Sequence, residues 1–128
     1  MNGATLRAIR TACGYTIDQF ARLVRVSGRT LSRWELDTHD VPSDVAALAE
    51  RKAEDFKTIL RDAIPAVIAR DEDVVMYRHD SEEEPPAGYD RVLWNAAVAA
   101  WVVRDEQVTF WAGDAPDQDE DEDEEAAA

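Results

Sequence analysis

The chain has a single cysteine, Cys13, in 128 residues, so no internal disulfide can form. That thiol continues a stripe begun by Leu6 and Ile9 at helical spacing, where a buried, reduced side chain is expected. No run of 18 or more apolar residues is present, which argues against a membrane helix, and the N-terminus leads into a helical pattern rather than a signal peptide. A cytoplasmic protein is expected. There are only two histidines, His39 and His79, and neither stands with other ligand types at a metal spacing. No nucleophile is paired with a base and no phosphate-cradling loop precedes a helix, so no catalytic residue, metal or cofactor is assigned.

Basic charge is also scarce. The formal net charge is −14, which taken alone argues against a phosphate-binding surface. Its distribution reverses that reading. Residues 1–36 hold six Arg and two acids, whereas residues 37–71 hold five bases and eight acids. Residues 72–112 hold three bases and nine acids, and residues 113–128 hold nine acids and no base. The first quarter of the chain is a basic island in an acidic protein.

Within that island, residues 16–35 (TIDQFARLVRVSGRTLSRWE) read as two short helices joined by a tight turn. Ile17, Phe20, Ala21 and Val24 fall at i, i+3, i+4 and i+7 behind an N-capping Thr16. The second helix opens at Ser27, turns Leu31 and Trp34 inward, and leaves Arg29, Thr30, Ser32 and Arg33 largely outside. Neither helix is long enough to be stable alone, so other helices must support both from behind. A preceding helix over residues 4–13 supplies Leu6, Ile9 and Cys13, with Arg10 on the same face and Gly14 ending it.

The run LRAIRTACGYTIDQFARLVRVSGRTLSRWELDTHDVPSDVAAL resembles the DNA-binding domain of the Cro and repressor (lambda-repressor-like, XRE) family. The match rests on Leu6, Ile9, Arg10, Gly14, Thr16, Ala21, Val24, Val26-Ser27, Leu31, Trp34-Glu35 and Val41-Pro42. The resemblance implies a four- to five-helix domain whose helix 27–35 enters the major groove. It places Arg29 and Arg33 on base edges, with Ser27, Thr30 and Ser32 also facing DNA, and Thr16, Gln19 and Arg22 at phosphates. It also implies an internal ion pair between Arg10 and Glu35. Two positions depart from the pattern: Arg25 stands where the turn usually has glycine, and no glycine follows Trp34-Glu35. Both Arg25 and Asp37 would carry modest strain if the backbone there is left-handed.

Beyond the loop, Pro42 with Ser43 and Asp44 opens a long linking helix expected to run to about residue 63, with Pro65 breaking it before a short continuation to about 69. Residues 74–78 (VVMYR) and 107–111 (QVTFW) read as strands. Between them, residues 91–103 (RVLWNAAVAAWVV) form a helix apolar almost all round. A subunit interface is the economical way to cover it, with Trp94, Val98, Trp101, Val102 and Phe110 contributing; a purely intramolecular core is the alternative. The whole is therefore mainly α: residues 1–70 form the helix-turn-helix domain with its linking helix. Residues 71–112 form a small strand-helix-strand dimerisation region, and residues 113–128 an acidic tail expected to be disordered. This arrangement is similar to the regulators of anti-CRISPR operons, through Arg25-Val26-Ser27, Trp34-Glu35, Val41-Pro42-Ser43-Asp44-Val45 and the Tyr77-Arg78 strand.

The function expected is sequence-specific binding of double-stranded DNA by a homodimer acting as an autorepressor at an inverted repeat. An antitoxin whose C-terminal part binds a toxin, or a protein-interaction module on the same fold, is the alternative. Under the first reading the acidic tail could compete with DNA for the basic face.

Overall fold

The computed structural model describes residues 1–37, 40–105 and 110–111. The expectations for His39, for residues 107–109 of the second strand, for the Phe110 side chain and for the tail at 113–128 lie outside the described residues. The fold is mainly helical. Its elements are α1 (Gly3–Ala12), α2 (Ile17–Val24), α3 (Gly28–Leu36), α4 (Ser43–Thr58), α5 (Ile64–Ala69), β1 (Val75–Met76), α6 (Arg91–Asp105) and β2 (Phe110–Trp111).

The first three helices are short because each is closed by local chemistry. Asn2 caps α1, accepting from the Thr5 amide at 2.9 Å, and Gly14 ends it at φ 85°. The amide of Gly14 donates to Thr11 O and that of Tyr15 to Arg10 O, the paired bonds of a Schellman turn. The same closure recurs after α2, where Arg25 is left-handed at φ 63° while its amide donates to Arg22 O and the Val26 amide to Ala21 O. An arginine therefore occupies the conformation that glycine adopts without steric cost. Asp37 differs from the expectation. It is extended, at φ −86°, because α3 continues to Leu36 and leaves without a left-handed turn, so no strain is stored there.

The long helix also departs from the sequence reading. Instead of breaking at Pro65, α4 passes through one π-helical turn, Ile59–Ala63, into α5. The Ile64 amide donates to Ile59 O, five residues back, so Pro65 enters in the first turn of α5, where its missing N–H costs least.

Apolar side chains from both ends of the chain form one buried cluster. Leu6, Phe20 and Leu31 meet Val45 and Ala49, and the cluster continues through Ile59, Ile64 and Val67 to Leu93, Trp94, Ala97, Val98 and Trp101. This corrects the expectation that α6 needs a second subunit to cover it. Trp94 is 1 % exposed, Val98 0 % and Trp101 5 % within a single chain. The long helix and Val74 supply the cover, and the Trp94 indole N–H donates to Val75 O at 2.8 Å. Only the C-terminal end of α6 is left over, with Val102 half-buried and Val103 82 % exposed.

β1 is shorter than expected, two residues, and pairs in parallel with β2, Val75 opposite Phe110 and Met76 opposite Trp111. Just past β1, the Asn95 side-chain oxygen of α6 accepts from the Tyr77 amide at 2.8 Å and its Nδ2 donates to Tyr77 O at 2.7 Å, so both backbone groups of Tyr77 are satisfied by α6.

Candidate nucleic-acid interface

The starts of α2 and α3 are fixed by local side-chain caps. At the start of α2, Thr16 Oγ1 accepts from the Gln19 amide at 3.0 Å and Gln19 Oε1 accepts from the Thr16 amide at 2.8 Å, a complete capping box. At the start of α3, Ser27 Oγ accepts from the Thr30 amide and donates to Thr30 Oγ1, both at 3.1 Å. Gly28 follows because the two helix starts nearly touch. A Cβ built there would lie 2.9 Å from Asp18 Oδ1 and 3.2 Å from Ile17 Cγ2. Gly28 thus faces α2, and its lack of a side chain serves packing.

The rear of α3 is anchored through Leu31, which is fully buried, and through Glu35, the one charged residue among the buried side chains. Arg10 reaches it from α1: Nε donates to Glu35 Oε2 at 2.6 Å and Nη2 to Oε1 at 3.0 Å. The third arm, Nη1, donates to Tyr15 O at 2.9 Å. One guanidinium therefore ties α1, α3 and the turn before α2. Its desolvation offsets much of the attraction, so the pair fixes the geometry of the helices more than it stabilises them.

What remains outside is cationic. Arg29 and Arg33, one turn apart on α3, are exposed, as are Arg22 on α2 and Arg25 in the intervening turn. None of these four guanidiniums has a partner among the described residues. Arg25 was absent from the residues expected to face DNA, although it is as exposed as the others; the glycine pattern drew attention to its backbone and away from its charge. The remaining expected positions differ in what they still offer. Ser27 has spent its hydroxyl on the cap, whereas the Thr30 and Thr16 hydroxyl protons and the Gln19 amide nitrogen are uncommitted. Ser32 is half-buried and shares a cavity of about 240 Å³ with Arg7 and Leu36 between α1 and α3. Asp18, in the first turn of α2, places one negative charge beside the dipole end at which a phosphate would sit.

A second group was not expected at all. Asp90 caps α6, accepting from the Leu93 amide at 2.7 Å through Oδ1. Its Oδ2 accepts from Tyr15 Oη at 2.6 Å and from Lys52 Nζ at 3.1 Å. Burial pushes the Asp90 carboxyl up, but the bonds from Tyr15, Leu93 and Lys52 outweigh it and hold the group below its ordinary range. Burial, then the bond to Asp90, drives the Tyr15 hydroxyl upward, so it stays protonated. The nearby Cys13 thiol is pushed up to about 11, first by burial and then by the Asp90 charge, which makes it an unreactive thiol. Asp90 thus joins α6 and α4 to the corner that positions α2. Beside it, a cleft of about 320 Å³ runs between Gln19, Arg22 and Leu23 of α2 and Asp90, Arg91 and Val92 of α6, with Tyr15 and His79 also lining it.

Among the described residues, no group of three or more His, Cys, Asp or Glu could hold a metal ion, and no helix is long and apolar enough to cross a membrane.

A family model described as a helix-turn-helix domain matches residues 3–51, which takes in α1, α2, α3 and the first half of α4. The search of curated proteins finds no match. The N-terminal part of the chain is therefore similar to helix-turn-helix domains, and its fold and its outward charge agree with that similarity.

Proposed function

We propose that the protein is a sequence-specific double-stranded-DNA-binding transcriptional regulator that inserts α3 in the major groove. The observation that carries this reading is the contrast on α3 itself: a rear edge locked by Leu31 and the Arg10–Glu35 pair, and a front edge carrying Arg29 and Arg33 with no partner among the described residues. A helix ~10–12 Å across fits a groove ~12 Å wide, and arginine is the side chain best suited to guanine edges. Arg22, Arg25, Thr16 and Gln19 then meet phosphates, and Thr30 and Ser32 flank the bases.

The protein acts as a homodimer repressing from an inverted repeat, as its resemblance to the regulators of anti-CRISPR operons implies. One domain offers few phosphate contacts, and the acidic remainder of the chain adds none, so two linked copies supply the affinity. The surface available for pairing is the exposed end of α6 at Val102 and Val103, rather than the tryptophans beneath it.

Mobility shift against the DNA upstream of the protein's own gene tests the reading. The native chain shifts it and the Arg29→Ala/Arg33→Ala chain does not; equal binding by both would sink the assignment. Selection from a random duplex pool checks the dimer. Paired half-sites ~34 Å apart, or a multiple of that, are expected, and isolated half-sites would refute it.

A further inference from the structure

The four free arginines of α2 and α3 face away from the core in a protein whose other charges are overwhelmingly negative. Elsewhere among the described residues, Arg7 of α1 and Arg51 of α4 are also exposed without a partner, whereas the other basic side chains are engaged. Lys57 and Arg61 of the long helix pair with Glu54 and Asp62, each at 3.3 Å. Arg91 is held by Ser81 O at 2.6 Å and Glu83 O at 3.0 Å. Four of the six unpartnered arginines thus lie on the α2–α3 face.

The sheet register gives the direction of the chain at Trp111. Because β2 runs parallel to β1 with Trp111 opposite Met76, the polypeptide leaves β2 at the end from which residues 77–79 depart. His79 lines the cleft that Gln19 and Arg22 also line. Counted along the chain, Asp114 lies as far past Trp111 as His79 lies past Met76. The nine acids of residues 113–128 follow from that point with no base among them. From Trp111 to Glu125 the chain spans at most ~45–50 Å, against a length of ~14 Å for the nine-residue α3, so reach sets no obstacle.

We propose that the acidic segment 114–125 docks on the face formed by Arg22, Arg25, Arg29 and Arg33, occupying in cis the surface that DNA takes. This inference rests on the reading of that face as the DNA-binding surface. A short tether gives an effective concentration on the order of 1 mM, and a segment–face dissociation constant on the order of 0.1 mM, the weak end of non-specific phosphate binding, then lowers DNA affinity about tenfold. Non-specific sites, held by phosphate contacts alone, lose most of their occupancy; an operator that also engages base edges retains its own.

The test compares the full chain with a variant in which all nine acids of 113–128 are changed to Asn or Gln, by amide NMR without DNA and by affinity for a random duplex. The expected result is a set of chemical-shift differences centred on Gln19, Arg22, Arg25, Arg29 and Arg33. These vanish as salt rises from on the order of 10 mM to 0.5 M, alongside about tenfold tighter duplex binding by the variant at the low end. Tighter duplex binding without those shifts would mean bulk charge alone and would overturn the proposal, as would shifts centred elsewhere. If neither chain binds any duplex, the DNA-binding reading fails, while the shifts still decide whether the segment occupies the face.

Discussion

The two ends of this fold use their polar groups in opposite ways. Around β1 and α6 the buried and half-buried polar groups are matched: the Trp94 indole with Val75 O, Asn95 with both backbone groups of Tyr77, and Asp90 with Tyr15, Lys52 and the Leu93 amide. On the outer edge of α2 and α3 the guanidiniums of Arg22, Arg25, Arg29 and Arg33 are left without partners among the described residues. The C-terminal end has spent its hydrogen-bonding capacity on holding itself together. The N-terminal end holds capacity in reserve, and reserved capacity is what a surface needs in order to bind something else.

Substitutions can break this contrast. The largest effect is expected at Glu35, the one residue of α3 whose charge is spent inward. Glu35→Ala leaves Arg10 charged and largely buried and should cost about 3–5 kcal/mol in chemical denaturation. Replacing both partners, Arg10→Met with Glu35→Leu, should restore most of that loss, because the penalty comes from stranding a charge rather than from losing an attraction. On the reserved edge, Arg29→Ala or Arg33→Ala should leave the denaturation midpoint nearly unchanged. Each should weaken operator binding by about 1–3 kcal/mol and relax selectivity at one base pair, as read by competition with single-site operator variants. A uniform loss across all sequences would instead assign that arginine to phosphate.

Asp90 tests the saturated end. Its folded carboxyl sits below the ordinary value of 3.8, so its contribution is complete above that value and is lost as pH falls through the lowered folded value. Asp90→Asn should flatten the acid limb of the stability profile below about pH 4. The side chain remains 39 % exposed, so solvent screening limits the loss near neutral pH to about 1 kcal/mol or less. The smallest change concerns Arg25. Glycine there removes a left-handed cost of about 1–2 kcal/mol but adds about 0.4–1 kcal/mol of unfolded-chain entropy, for a net gain of roughly 0.5 kcal/mol in thermal or chemical unfolding. The same change removes one of the four free charges, so duplex affinity should fall as stability rises.

Local chemistry was legible in the sequence, and distant chemistry was not, apart from the Arg10–Glu35 pair that the family resemblance supplied. Thr16 and Ser27 are recognisable as caps because their partners lie three residues away, and Ile17, Phe20, Ala21 and Leu31 reveal their faces by spacing. Asp90 gave no signal, since Tyr15 lies 75 residues away and Lys52 38, and neither separation follows from any helical or strand period. The apolar helix around Trp94 and Trp101 was identifiable as buried, but periodicity does not say by what. Its cover comes from the long helix, whose reach depends on a π turn absorbing Pro65. Asn95 likewise binds the Tyr77 backbone from another element, a pairing that no local pattern marks.

The Asp90 node also separates two boundaries that are easily equated. The stretch similar to helix-turn-helix domains ends at residue 51, one residue before the lysine that meets Asp90. A fragment cut there keeps α1, α2 and α3 yet loses the acceptor of the Tyr15 hydroxyl, and it uncovers Gly14, where α6 lies so close that an added Cβ would sit 2.9 Å from Ala96 Cβ. What is recognisable as a module is thus smaller than what can be transplanted as one. A chimera carrying this helix-turn-helix into another protein has to bring α6 with it.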